Sequence, residues 1–91
     1  MSGATMLQHA ATVVADRSKA YGAPRPNMEA VARRWSLTLG HTVTPAQVVL
    51  CMIDLKLTRL GHDPEHQDSI IDIAGYAAVL HEVIRDESDS P

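Results

Sequence analysis

Thr44-Pro45-Ala46-Gln47 constrains this chain more than any other four residues. The Thr44 hydroxyl can accept from the N–H three residues on. Pro45 has no N–H to leave unsatisfied at a first helical position, and the Gln47 side chain can reach back to the Thr44 N–H. A helix therefore starts at residue 45. Its apolar spacing carries it to about Leu60, and Gly61 stops it. The rest of the chain has similar punctuation. Leu7, Ala10, Ala11, Val14 and Tyr21 fall at helical spacing, so residues 4–20 read as a first helix. Gly22, Pro24 and Pro26 break it. Asn27 is a good N-cap for a second helix over 28–39, which Gly40 closes as a C′ residue. His62 to Gln67 is a short polar loop around Pro64, and a fourth helix runs from Asp68 to about Arg85. No segment alternates with period two for long.

The expectation is an all-α chain: a small four-helix domain whose last two helices form an antiparallel hairpin. Residues 1–85 make a single helical domain, and 86–91 an acidic, Ser-rich, disordered tail.

Composition adds a constraint. The chain has 91 residues, 45% of them hydrophobic. A domain this small buries only part of its surface, so some apolar surface should be covered by a partner chain, and a homo-oligomer is expected. Aromatics are confined to Trp35, Tyr21 and Tyr76, which suits aliphatic helix packing, with Trp35 in the core. The net charge of −3 gives no basic field for duplex nucleic acid. Cys51 stands alone in an apolar run and reads as a reduced, buried packing residue of a cytoplasmic protein. No apolar run reaches the ~18 residues of a spanning helix, and no signal-peptide pattern is present, so no membrane partner is expected.

The charged residues carry the functional question. At 100° per residue, Ile70, Ile73, Ala74, Ala77, Leu80 and Ile84 form one stripe of the fourth helix, the expected core face. Asp68, Asp72, Gly75 and Val79 fall nearly opposite, beside Tyr76. In the third helix Leu50, Ile53, Leu57 and Leu60 form the expected core stripe. Val49, Met52 and Leu55 add apolar surface outside it, again as if for sister subunits. Asp68 and Asp72 are like charges four apart. They are either first-turn anions favoured by the helix dipole, or carboxylates that meet Lys56, Arg59, a divalent metal or a ligand.

His62-Asp63-Pro64-Glu65-His66 reads as a solvated loop, because Pro64 spoils the geometry of a zinc site. His66 could still lie at the mouth of a pocket near Asp68. Lys56 and Arg59 are either surface ion-pair residues or phosphate ligands, with Asp54 positioning them or a metal. Tyr21-Gly22-Ala23-Pro24-Arg25-Pro26-Asn27 is either a helix stop followed by a cap, or a site where Tyr21 stacks on a base and Arg25 meets phosphate.

Several of these pieces recur together. Tyr21-Gly22, Asn27, Ala32 and Trp35, Thr44-Pro45, Met52-x-Asp54-Leu55-Lys56-Leu57-x-Arg59-Leu60 and His66-x-Asp68-Ser69-x-x-Asp72-Ile73-Ala74-Gly75-Tyr76 resemble a family of small, mostly phage-encoded helical proteins known only as a domain of unknown function. The resemblance covers about residues 15–80 and implies a phage origin, hence the host cytoplasm. More distantly, the chain is similar to MazG-like all-α nucleotide pyrophosphohydrolases and to nucleotide-modification-associated domains. Those enzymes use acidic side chains on two helices to hold Mg²⁺ against a nucleotide's phosphates. Asp68 and Asp72 resemble the second acidic pair, and Asp54 stands near the first. Lys56 and Arg59 replace the rest of that cluster.

That departure from the resembled enzymes, with Lys56 and Arg59 able to meet phosphate directly, points to a phage nucleotide-binding protein without catalysis, a sponge for a nucleotide immune signal such as a cyclic nucleotide. Its ligand set would be Tyr21, Arg25, Asn27, Lys56, Arg59, His66, Asp68, Asp72 and Tyr76, with no cofactor. The alternatives are a pyrophosphohydrolase with Mg²⁺ on Asp54, Asp68 and Asp72, or an oligomeric interaction module. A DNA-associated regulator fits the acidic balance least.

Overall fold

The structure, a computed structural model, describes residues 1–85. The expected tail, 86–91, lies outside them. Four helices follow in order: α1 (Gly3–Tyr21), α2 (Pro24–Leu39), α3 (Pro45–His62) and α4 (Gln67–Ile84), with no strand among the described residues.

Three of the four helices begin where a side chain caps their first N–H groups. The Ser2 hydroxyl accepts from the Thr5 N–H at 3.1 Å and caps α1. The capping box of α3 forms as the sequence predicts. Thr44 Oγ1 accepts from the Gln47 N–H at 3.1 Å, and Gln47 Oε1 accepts from the Thr44 N–H at 2.9 Å. Gly40 adopts the left-handed conformation (φ 76°) that ends α2, and its N–H returns to the Ser36 carbonyl at 3.0 Å.

Three boundaries differ from expectation. Asn27 does not cap α2. The helix starts at Pro24, whose fixed φ and missing N–H suit a first position, and Ala23 is its N-cap. Gly22, at φ 87°, completes the turn early, so Asn27 falls within the helix. Helix α3 runs through Gly61 to His62, and the Asp63 N–H closes it on the Arg59 carbonyl at 2.9 Å. A glycine in a helix costs only about 1 kcal/mol, and here it does not stop one. Helix α4 takes His66 as its N-cap, with Nδ1 accepting from the Ser69 N–H at 3.3 Å and lying 2.7 Å from Ser69 Oγ.

Helix α4 packs against each of the other three, and α3 also packs against α2. The molecule is 22 Å in its thinnest dimension, two helix diameters, so each helix keeps a wide outer face. The buried apolar residues are small: Ala10, Ala32, Val43, Val48, Val49 and Ile71. Ala32, Val43 and Val48 form one cluster, with Met28, Val31 and Trp35 packed on it. Trp35 is thus half-buried at the cluster's edge. Ser36 ties the cluster together, its hydroxyl donating to the Ala32 carbonyl at 2.7 Å and accepting from the Val43 N–H at 2.8 Å.

The helical wheels put the core on the wrong flank of two helices. Leu50 and Leu57 of α3 are about half exposed (49% and 51%), while Val48 and Val49 are fully buried. In α4, Ser69 and Ile71 are buried, Ile70, Ile73, Ala74 and Leu80 are half-buried, and Ala77 and Ile84 are exposed. Each helix carries two apolar faces, and in α3 the neighbours cover the one with the valines rather than the one with the leucines. Cys51 is exposed rather than buried, because it shares the outer side of α3 with Leu50.

Candidate ligand groove

Helices α1 and α4 meet along two stripes with the same spacing. Val13, Val14, Arg17, Ser18 and Tyr21 come from α1; Ile71, Asp72, Gly75, Tyr76 and Val79 come from α4. In each stripe the residues stand at i, i+1, i+4, i+5 and i+8, one face of a helix. At Gly75 the helices stand one side-chain contact apart: a β-carbon built there would lie 3.5 Å from Val14 Cγ2, ordinary van der Waals contact. Between the stripes runs a groove of about 390 Å³, closed at one end by Gly22, Pro24, Asn27 and Met28. That volume falls at the small end of the ~300–1,000 Å³ typical of ligand sites.

Four of the residues expected at a ligand site meet here: Tyr21, Asn27, Asp72 and Tyr76. Tyr21 is 74% exposed and stands at the rim, whereas Tyr76 is half-buried in the wall. Asp72 bonds Lys56 of α3, with Nζ 3.0 Å from Oδ2 and both side chains largely shielded (13% and 22% exposed). A carboxylate taken that far from water requires such a partner. Lys56 is therefore committed to Asp72 and is not a free phosphate ligand. It reaches the groove only through that carboxylate.

The other expected residues lie elsewhere. The Arg25 guanidinium donates to the Val83 carbonyl at 3.2 Å. It satisfies a last-turn acceptor of α4, where the helix dipole favours a cation, and it locks α2 to α4. His66 is occupied in capping α4. Arg59 and Asp54 are exposed on α3, and Asp68 is exposed in the first turn of α4. One helical turn separates Asp68 from Asp72, and that turn carries it beyond the reach of Lys56 and off the groove. Asp54, Asp68 and Asp72 are not gathered: among the described residues, no three His, Cys, Asp or Glu come together in a group that could hold a metal. A more open depression between α2 and the start of α3, lined by Glu29, Arg33 and His41, holds none of the expected residues.

Arg17 and Ser18 were not foreseen. Their signal was present in the spacing Val13, Val14, Arg17, Ser18, Tyr21, which matches the face of α4 that carries Asp72 and Tyr76. The expected stripe already held Val14 and Tyr21, but it continued through Leu7, Ala10 and Ala11 rather than through Val13 and Arg17. Leu7 is 58% exposed and Ala11 is exposed.

These features define a small all-helical domain built around its fourth helix, with a groove flanked by two tyrosines and lined by one arginine. The chain belongs to the family described as domain of unknown function DUF6378, which matches residues 5–84. It is 40% identical over 68 residues to the Gene 55 protein of Mycobacterium phage L5, a match covering 74% of this chain and 44% of that protein. It is 34% identical over 68 residues to the Gene 55 protein of Mycobacterium phage D29, covering 75% of this chain and 45% of that protein. The chain thus spans less than half the length of these relatives. Both are phage proteins, in agreement with the phage-encoded family that the motifs resemble. No solved structure matches. Among the described residues no helix is long and apolar enough to cross a membrane.

Proposed function

We propose that this domain binds a nucleotide in the groove between α1 and α4 without cleaving it, and that it acts by holding the nucleotide away from other proteins. One observation carries the reading. Tyr21 and Asn27, at the turn between α1 and α2, converge on one groove with the distant Tyr76, while the aspartates a hydrolase would need are dispersed. A tyrosine offers a flat apolar face for a base, and Asn27 offers both a donor and an acceptor for a base edge. Asp72, neutralised by Lys56, retains capacity to accept from a ribose hydroxyl or a base amino group. A phosphate-cleaving site needs carboxylates close enough to share Mg²⁺, and Asp54 and Asp68 stand apart from Asp72. For a phage protein in its host's cytoplasm, such sequestration would deplete a nucleotide immune signal.

A homo-oligomer, with α3 and α4 as its antiparallel hairpin, accompanies this reading. Six of the eight leucines in the chain, Leu7, Leu37, Leu39, Leu50, Leu55 and Leu57, are at least 45% exposed. Leucine is among the residues most often buried, and a second copy would cover some of this surface.

The test is a nucleotide panel incubated with the purified protein, in Mg²⁺ and in EDTA, followed for both binding and turnover. Binding that persists in EDTA, with the ligand recovered intact and lost on Tyr76→Ala, is the expected result. Release of pyrophosphate or phosphate that depends on Mg²⁺ would replace this reading with the enzyme. A folded protein that binds no nucleotide would leave the interaction module.

A further inference from the structure

Resting on the nucleotide reading of the groove, we infer that its occupant carries one phosphodiester charge per chain, and that Arg17 is the residue that meets it. The charge of the groove selects it. Among the groove residues only Arg17 and Asp72 are ionic, and Asp72 is cancelled by Lys56 at 3.0 Å. The remaining polar groups, on Ser18, Tyr21, Asn27 and Tyr76, are neutral. Arg25, four residues beyond Tyr21, is committed to the Val83 carbonyl and adds nothing to the groove. The net charge of the site is therefore that of one guanidinium.

Arg17 stands one helical turn before Tyr21 on the same face of α1. A base against Tyr21 thus puts its sugar-linked phosphate within reach of a fork of N–H donors suited to it. The start of α2 closes the same end of the groove.

A single positive charge balances a phosphodiester, which carries one negative charge. It does not balance a terminal phosphate, which is about −1.5 to −2 at neutral pH, and still less a triphosphate. The groove is also small, and suits one nucleotide unit rather than two. The chemistry it selects is a phosphodiester-linked nucleotide. Its source is either a 3′,5′-cyclic mononucleotide in each chain or a cyclic dinucleotide shared between two chains.

Calorimetric titration of the full chain in EDTA, at one fixed salt concentration, tests this with ligands of one base: the nucleoside, its 3′,5′-cyclic monophosphate, its 5′-monophosphate, its triphosphate and its cyclic dinucleotide. The phosphodiesters should bind tightest. The stoichiometry identifies the source: one cyclic mononucleotide per chain, or one cyclic dinucleotide per two chains. Arg17 is exposed, so Arg17→Ala should leave the thermal melt unchanged. It should weaken phosphodiester binding roughly ten- to a hundred-fold, the scale of one charge-assisted hydrogen-bonded contact, and leave the nucleoside unaffected. Arg17→Lys should recover part of the loss. A triphosphate that binds more tightly than either phosphodiester overturns the inference while leaving nucleotide binding in place. So does an Arg17→Ala protein that discriminates charge as the parent does. A groove that binds no ligand of the series overturns both readings.

Discussion

Asp72 and Asp68 are the same residue one helical turn apart, and the fold uses them differently. Asp72 is shielded and paired with Lys56; Asp68 is exposed in the first turn of α4, where the helix dipole favours its charge. Removing one partner of the shielded pair leaves the other ion desolvated without compensation. Lys56→Met should therefore cost about 1–3 kcal/mol, and Asp72→Asn a similar amount. Joining Lys56→Met to Asp72→Leu should recover much of the loss, because two apolar groups of similar shape need no partner. Asp68→Asn should cost less than about 0.5 kcal/mol, within the range of surface changes. Urea unfolding of the four variants gives the comparison. Equal costs at Asp68 and Asp72 would remove the distinction between them. The need for a cation near this acidic pair was legible in the sequence, and so was Lys56 as a candidate. Which of the two carboxylates would be shielded was not, because that depends on where α1 and α3 cross α4, and no local pattern encodes it.

At the scale of the helices, Gly75 poses a sharper question. It sits mid-helix in α4, where glycine costs about 1 kcal/mol relative to alanine, and it faces Val14 across the groove. An added β-carbon would meet Val14 at 3.5 Å, ordinary van der Waals contact. Gly75→Ala should therefore stabilise the domain by about 0.5–1 kcal/mol, read as a rise in the thermal midpoint. Gly75→Leu should fill the groove and abolish ligand binding while the helical circular dichroism remains. If Gly75→Ala destabilises instead, the contact between α1 and α4 is tighter than described and leaves no room beside it. Local signals were reliable for helix existence. The capping box at Thr44, the left-handed Gly40 and the breaks around Gly22 and Pro64 all depend on residues within four positions of one another. They failed where two local preferences competed. Asn27 and Pro24 both suit a helix start, and Pro24 prevailed because Gly22 had already turned the chain. Periodicity failed differently. It showed that α3 and α4 each carry more than one apolar face, but not which face a neighbour would cover.

For the whole molecule the unresolved balance is between surface and core. Among the described residues the buried apolar side chains are alanines, valines and one isoleucine, while most leucines remain exposed. Burial contributes roughly 25 cal/mol per Å² of apolar area, so a core of small side chains gains little against the entropy of ordering 85 residues. The outer face of α3 offers the missing area. Leu50, Ile53, Leu57 and Leu60 repeat at intervals of three and four, the spacing of a seam between paired helices, and Leu50 and Leu57 are about half exposed. If a second copy covers this seam, Leu50→Glu with Leu57→Glu buries unpaired charges at the junction. The assembly should then dissociate, and the thermal midpoint should fall and lose its dependence on protein concentration. If the chain works as a monomer, the same two changes replace apolar surface with charge in open solvent. They should move stability by less than about 0.5 kcal/mol each, with no change in molar mass. Light scattering coupled to size-exclusion chromatography, across a hundredfold range of concentration, separates the two outcomes. An assembly unaffected by both substitutions would show that the copies meet elsewhere. The remaining exposed leucines on α2, Leu37 and Leu39, would then be the surface to alter next.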